Sequence, residues 1–226
     1  MGFLSSVGSA ISSACSSIGS ALSSACSSVL TGLSTVVSNL APLANALAVA
    51  IPATGVLGKA VLAIQVLSIV LGVIGKDDTI EDIGDRAIQA QEAGINPENY
   101  STYREYVDAI KSFELDPKKS KEISSTEKMI AGLGVQYWGF EESFGVGAGD
   151  IIVKTLKSPD YFTGERLTAY LDKVESISDV VAYFDSKLSK SDCLAVEEKL
   201  VEAEKTMSPE KSDFTIHEEL LKHSDE

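Results

Sequence analysis

Residues 5–37 repeat themselves: Ser5-Ser-Val-Gly-Ser-Ala-Ile-Ser-Ser-Ala-Cys15 is followed by Ser16-Ser-Ile-Gly-Ser-Ala-Leu-Ser-Ser-Ala-Cys26, and a decayed third copy opens with Ser27-Ser-Val-Leu30. The period of eleven residues corresponds to three helical turns at about 3.67 residues per turn, close to the 3.6 of a straight α-helix, so each copy returns to the same side. Leu4, Val7, Ile11, Cys15, Ile18, Leu22, Cys26, Val29, Leu33, Val36, Val37 and Leu40 step by three and four along one apolar stripe. The remaining arc carries Ser5, Ser6, Ser9, Ser12, Ser13, Ser16, Ser17, Ser20, Ser23, Ser24, Ser27 and Ser28, many hydroxyls and no charge. The pattern predicts one amphipathic helix running to Pro42.

No charged side chain lies in this stretch. A helix on the surface of a water-soluble domain carries Lys, Glu, Arg and Asp on its wet face. Serine is a mediocre helix former in water, because its hydroxyl competes for backbone groups. In an apolar medium the hydroxyls can bond a neighbouring helix, and small residues allow close approach. A neutral hydroxylated face also suits the lumen of a narrow pore. Ser5, Ser9, Ser12, Ser16, Ser20, Ser23 and Ser27 are the expected pore-lining set, with several copies of the helix assembled serines inward. The competing reading is a Ser/Ala/Gly-rich leader packed against a partner chain.

The charge of the 226-residue chain is unevenly placed. Its net charge is −14, yet Lys59 is the only charged side chain up to Gly75, so the rest carries −15. Two regions are expected, 1–75 apolar and 76–226 acidic, with the boundary at Lys76-Asp-Asp-Thr79. The acidic part argues against nucleic acid and against electrostatic attraction to an anionic membrane surface. Any membrane affinity must come from the apolar third. Cys15, Cys26 and Cys193 form no disulfide framework, and their sparse count suits folding in a reducing cytoplasm. The first residues lack the basic and apolar regions of a signal peptide, so export without a cleaved signal is expected. Gly2 with Ser6 formally fits a myristoylation pattern, but the bulky Phe3 is a poor neighbour for the acceptor glycine.

After Pro42, Leu43–Ile51 and Val56–Ile74 are almost wholly apolar, and Pro52-Ala-Thr-Gly55 between them reads as a turn. The second run has nineteen residues, close to the about 20 needed to cross a bilayer, and Lys59 near its start can snorkel to the interface. Val56, Leu62, Ile64, Leu67, Ile69, Leu71 and Ile74 are its expected membrane-spanning residues. A core helix covered on every side has the same composition. Beyond Lys76, short amphipathic helices are expected. One ends at Gly94, others open at Thr102-Tyr-Arg-Glu105 and Ser124-Ser-Thr-Glu127, and three more cover Leu167–Ile177, Val180–Leu188 and Asp192–Met207. The tail from Ser208 is expected to fray, with a short helix near Ile216–Leu221. No stretch has a strand's period of two. The predicted fold class is all-α: a Ser-rich amphipathic helix, an apolar hairpin-like segment and an acidic multi-helix domain.

Catalytic chemistry is not indicated. His217 and His223 lie in the tail without metal-ligand spacing, and no histidine elsewhere can serve a nucleophile as base. Glu141-Glu142 and Glu197-Glu198 read as solvated faces, and Tyr137, Trp138 and Phe140 as core. Gly145-Val-Gly-Ala-Gly-Asp150 lacks the Lys-Ser/Thr ending of a phosphate loop, and Asp150 would repel phosphate. A flexible turn is expected there. No cofactor or metal is expected.

In layout, chiefly over Ser5–Ile74, the chain resembles the small pore-forming effectors that bacteria deliver through type VI secretion systems. Those proteins lack a signal peptide, carry an apolar N-terminal half and depolarise competitors by ion leakage. The resemblance implies target-membrane lipid, further copies of the chain, a secretion-tube carrier and an immunity protein as partners. It also implies synthesis in the cytoplasm and action at the target inner membrane. The scarcity of basic residues favours cations over anions in such a pore. Colicin-type pore formers share the buried apolar hairpin, with larger pore domains and a longer first arm than Leu43–Ile51. Two other readings compete. One is a structural or interaction protein of a phage-like or secretion assembly whose apolar third packs on partner chains. The other is a resident membrane protein with one or two spans.

Overall fold

The computed structural model describes residues 22–224, and these are entirely helical apart from turns and connections. The first helix, α1, spans Ser24–Val36. It begins where Ser23, in an extended conformation, accepts the Cys26 amide on its hydroxyl. It ends at Val37, which is also extended. The stripe is therefore not carried by one helix to Pro42: Ser23 caps a start and the chain turns at Val37–Leu40. Pro42 instead lies in the first turn of α2, Ala41–Ala50, where its missing N–H costs nothing. The stripe itself persists, since Cys26, Val29, Leu33, Val37 and Leu40 are all buried.

Helix α3 spans Val56–Val70, and α4 spans Ile80–Glu92. A 3-10 turn, Pro97–Asn99, leads to α5, Tyr103–Ser112, and the short α6, Pro117–Glu122. Then come α7, Ser125–Phe144, and α8, Asp150–Lys157. The last four are α9, Gly164–Val174; α10, Ile177–Phe184; α11, Lys190–Met207; and α12, Asp213–Ser224. The two helices expected over Leu167–Ile177 and Val180–Leu188 are both present, with the break between them about three residues earlier. Glu175 adopts a left-handed conformation at φ 64°, and Ser176 caps the next start by accepting the Asp179 amide. The short helix expected near Ile216–Leu221 is a twelve-residue helix with Ile216 and Leu220 buried, longer than the frayed tail expected around it.

Local sequence explains most of the starts beyond Lys76. Thr79, Thr102, Ser124, Ser176 and Ser189 each accept the amide three residues on, and Asp or Glu stands at that position every time. Helices α2 and α3 have no such support: Leu40 and Gly55 precede them and neither supplies a side-chain cap. Their stability rests on burial.

Helix α7 is the centre, with every residue from Ile130 to Phe140 buried. Its glycines set the distances. A Cβ on Gly132 would lie 2.0 Å from the Ile80 carbonyl oxygen, and one on Gly84 would lie 1.8 Å from that of Lys128. Helices α4 and α7 therefore cross backbone to backbone. Leu30 and Leu33 of α1 close over Gly134, and Tyr103 of α5 closes over Gly139. Towards α9–α12 the same core gathers the rings of Tyr161, Phe162, Tyr170 and Phe184. Helix α3 packs on α7, α8 and α9, and α2 packs on α8. One hydrophobic core includes residues from Cys26 to Leu220, so in this structure the apolar third and the acidic part share a core across Lys76.

Candidate membrane-active segment

The apolar run from Val56 becomes a helix of fifteen residues, not nineteen. Gly72 adopts φ +71° and ends it. Its amide donates to the Ile69 carbonyl at 3.1 Å, and the Val73 amide donates to Ser68 at 2.8 Å, the paired bonds of a Schellman motif. Leu71–Ile74 folds back, burying Val73 and Ile74. At 1.5 Å per residue α3 is about 22 Å long and α2 about 15 Å, against about 30 Å of bilayer hydrocarbon. No helix among the described residues is long and apolar enough to cross a membrane.

Ile64 and Leu67 are fully buried and Ile74 nearly so; Val56, Ile69 and Leu71 are half-buried. Leu62 is 67% exposed, and Val66 and Val70 continue the same outer face at 45% and 53%. That face begins with Lys59, which pairs with Asp160 at the surface. Exposed pairs of this kind contribute little. The other polar ties of the segment are few. Gln65 accepts the Ile80 amide at 3.3 Å, Tyr103 donates to the Val73 carbonyl at 3.2 Å, and the Tyr137 hydroxyl, which donates to Asp150 at 2.7 Å, lies 3.3 Å from the Asn39 carbonyl. Burial, with Asp150 beside it, pushes the Tyr137 hydroxyl far above its ordinary value, so it stays protonated and donating. The Ser68 hydroxyl is buried and meets no partner among the described residues.

Ser5, Ser9, Ser12, Ser16 and Ser20 lie outside the described residues. Ser23 is the cap of α1, and its amide donates to Glu127. Ser27 is half-buried in the first turn of α1, its carbonyl accepting the Thr31 hydroxyl at 2.9 Å. Neither serine is brought against another copy of the repeat among the described residues.

The glycine-rich turn after α7 holds a carboxylate of its own. Glu141 Oε1 accepts the amides of Gly147 and Gly149 at 2.8 and 2.9 Å, the position an external anion would need. Burial raises the Glu141 carboxyl above its ordinary value against the pull of these two bonds. Among the described residues no group of His, Cys, Asp and Glu could hold a metal ion. His217 meets Glu197 at 3.2 Å, and His223 stacks on Tyr161 with centroids 3.8 Å apart.

No protein-family model, curated protein or solved structure matches this chain.

Proposed function

We propose that the protein is a secreted pore-forming effector whose apolar segment enters a target bacterial membrane and leaks ions, cations in preference to anions. The observation that carries the reading is the way α2 and α3 are held. They carry one charge between them, lack side-chain caps, and are retained among charged amphipathic helices by contacts that are nearly all apolar. Such contacts can be exchanged for lipid at little cost, because lipid tails are as apolar as leucine. A buried salt-bridged helix could not leave so cheaply.

Entry requires rebuilding. Gly72 is the junction: returning it to right-handed backbone would let Leu71–Ile74 join α3, giving nineteen residues and about 28 Å. The serine repeat would line the pore in several copies. The layout-level resemblance supplies the remaining partners of the proposal, a secretion carrier and an immunity protein, and export without a cleaved signal.

Current across a planar bilayer with the full chain tests the reading. Discrete conductance with cation preference is expected, and a silent bilayer at several pH values and lipid compositions overturns it. A second reading has its own observation. The outward face of Leu62, Val66 and Val70 would equally suit a partner chain in a larger assembly. Periplasm-directed expression separates the two, since only a pore former depolarises the cell.

A further inference from the structure

Helix α3 carries three polar side chains, Lys59, Gln65 and Ser68. Lys59 stands on the outer face. Gln65 and Ser68 lie three residues apart and share one stripe with Gly58 and Val61, which Gly72 would continue once the helix runs through Ile74. At 3.6 residues per turn these positions fall within an arc of about 80°. Apart from Lys59, the rest of Val56–Ile74 is wholly Val, Leu, Ile and Ala.

The packing of the folded protein does not account for two residues of this stripe. Ser68 is fully buried, and its hydroxyl has no partner among the described residues. Other helical hydroxyls close on their own backbone: Ser112, Thr155 and Thr168 each donate to the carbonyl four residues back. The Ser68 hydroxyl does not, and an unpaired buried hydroxyl is a net cost to the fold. Gly58 is the second. A Cβ there would meet nothing within 4 Å, and its φ is not positive, so neither close approach nor backbone shape calls for glycine in a helix that glycine weakens. At Gly84 and Gly132, by contrast, a Cβ would strike backbone.

We propose that α3, in several inserted copies, lines the conducting path with this stripe, Gln65 and Ser68 facing the ions alongside the serine repeat. Hydroxyl and amide oxygens without fixed charge can replace part of a cation's hydration. Gly58, Ser68 and Gly72 are small and leave the lumen open, and Gln65, the largest polar side chain of the stripe, marks its narrowest polar point. The opposite face, with Val66 and Val70 already exposed in the folded protein, meets lipid. The proposal rests on the pore reading above and adds which residues of α3 the ions pass.

Water access should reverse between the two states, and single cysteines read it. In the full chain, with Cys15 and Cys193 replaced by serine and Cys26 by alanine, Ser68→Cys is compared with Val70→Cys, which lies across the helix and is 53% exposed in the folded protein. In solution a cationic, membrane-impermeant methanethiosulfonate should label Val70→Cys and spare Ser68→Cys. In conducting planar bilayers it should block the Ser68→Cys current and leave that of Val70→Cys. Gln65→Lys and Gln65→Glu, made in the chain with its own cysteines, supply a second measurement that decides alone if the cysteine-free background is silent. In a salt gradient the lysine variant should shift the reversal potential towards anions and the glutamate variant further towards cations. An unblocked Ser68→Cys current, block at Val70→Cys alone, or reversal potentials indifferent to both Gln65 changes overturns the proposal, while a conducting parent leaves the pore reading standing. A silent parent overturns both.

Discussion

The carboxylate of Glu127 accepts the backbone amide of Ser23 at 2.7 Å and so fastens the start of α1 to the start of α7. Its second oxygen takes the Ser124 amide and hydroxyl at 3.1 and 2.8 Å, closing the capping box of α7. Burial pushes this carboxyl up, but the hydrogen bonds from Ser23 and Ser124 outweigh it and hold it below its ordinary value. A carboxyl so lowered contributes stability above the pKa of an unfolded glutamate and loses it as pH falls through its folded value. Glu127→Ala should therefore cost about 2 kcal/mol near neutral pH. The gap between variant and parent should narrow towards about pH 3, below the usual glutamate pKa of about 4.3. Urea denaturation of both proteins across this range reads it, and a gap that stays constant contradicts the assignment.

The α4–α7 crossing gives a second prediction. Gly132→Ala places a methyl 2.0 Å from the Ile80 carbonyl oxygen, so the two backbones must part. Alanine's better helix propensity gains about 1 kcal/mol over glycine. Overpacking between two backbones should outweigh this and leave a net loss of about 2–3 kcal/mol. A urea midpoint equal to or above that of the parent would show that the helices cross more loosely than described.

Much of the acidic part was legible because its signals are local. The Ser/Thr-x-x-Asp/Glu starts at Thr102 and Ser124 and the stop at Gly94, with φ +86°, stand in the sequence where the helices begin and end. The buried state of Tyr137, Trp138 and Phe140 was legible too. The Gly84–Gly132 approach was not, since a helical glycine looks only like a weak position until its partner across the core is known. Two misreadings had available signals. Gly72 sits inside the apolar run, and hydropathy alone carried the helix past it. Ser176-x-x-Asp179 places the second helix's start at Ile177, where apolar periodicity alone carried the first helix to Ile177 and began the next at Val180. The gathering of Lys157, Arg166, Lys211 and Lys222 was beyond reach, because α8, α9, α12 and the α11–α12 connection bring them together only in the fold.

Gly72→Ala isolates the backbone term at the end of α3. A Cβ there meets nothing within 4 Å, so the substitution adds only the strain of φ +71°. The folded state should lose about 1–2 kcal/mol, read as a lowered thermal midpoint. The same change favours continuation of the helix through Ile74. Bilayer conductance should persist or rise in the less stable variant, and loss of conductance in step with stability would argue against Gly72 as the junction.

Glu204 is the only carboxylate bonded to Arg166 among the described residues, and it accepts the Tyr170 hydroxyl as well. Burial pushes the Tyr170 hydroxyl far above its ordinary value, so it remains a donor over the whole working range of pH. Glu204→Ala leaves a partly buried guanidinium without its partner and should cost about 3 kcal/mol. Glu204→Gln keeps an acceptor and should recover part of that loss. Equal stability of the alanine variant and the parent in chemical denaturation would mean that the network is incidental.

If α3 leaves α9 to enter a membrane, a reversible lock between the two helices must stop it. An ideal Cβ on Gly164 lies 2.9 Å from the Val66 Cβ, slightly inside the about 3.5–4.5 Å of a disulfide, so Val66→Cys with Gly164→Cys should cross-link α3 to α9 after a small shift. Ion leakage from lipid vesicles is measured with this variant, Cys15 and Cys193 replaced by serine, before and after reduction. No leakage is expected while the bond is closed, and leakage at the parent's level once it is reduced. Equal leakage in both states would contradict it, because the pore would then form with α3 still fixed to α9.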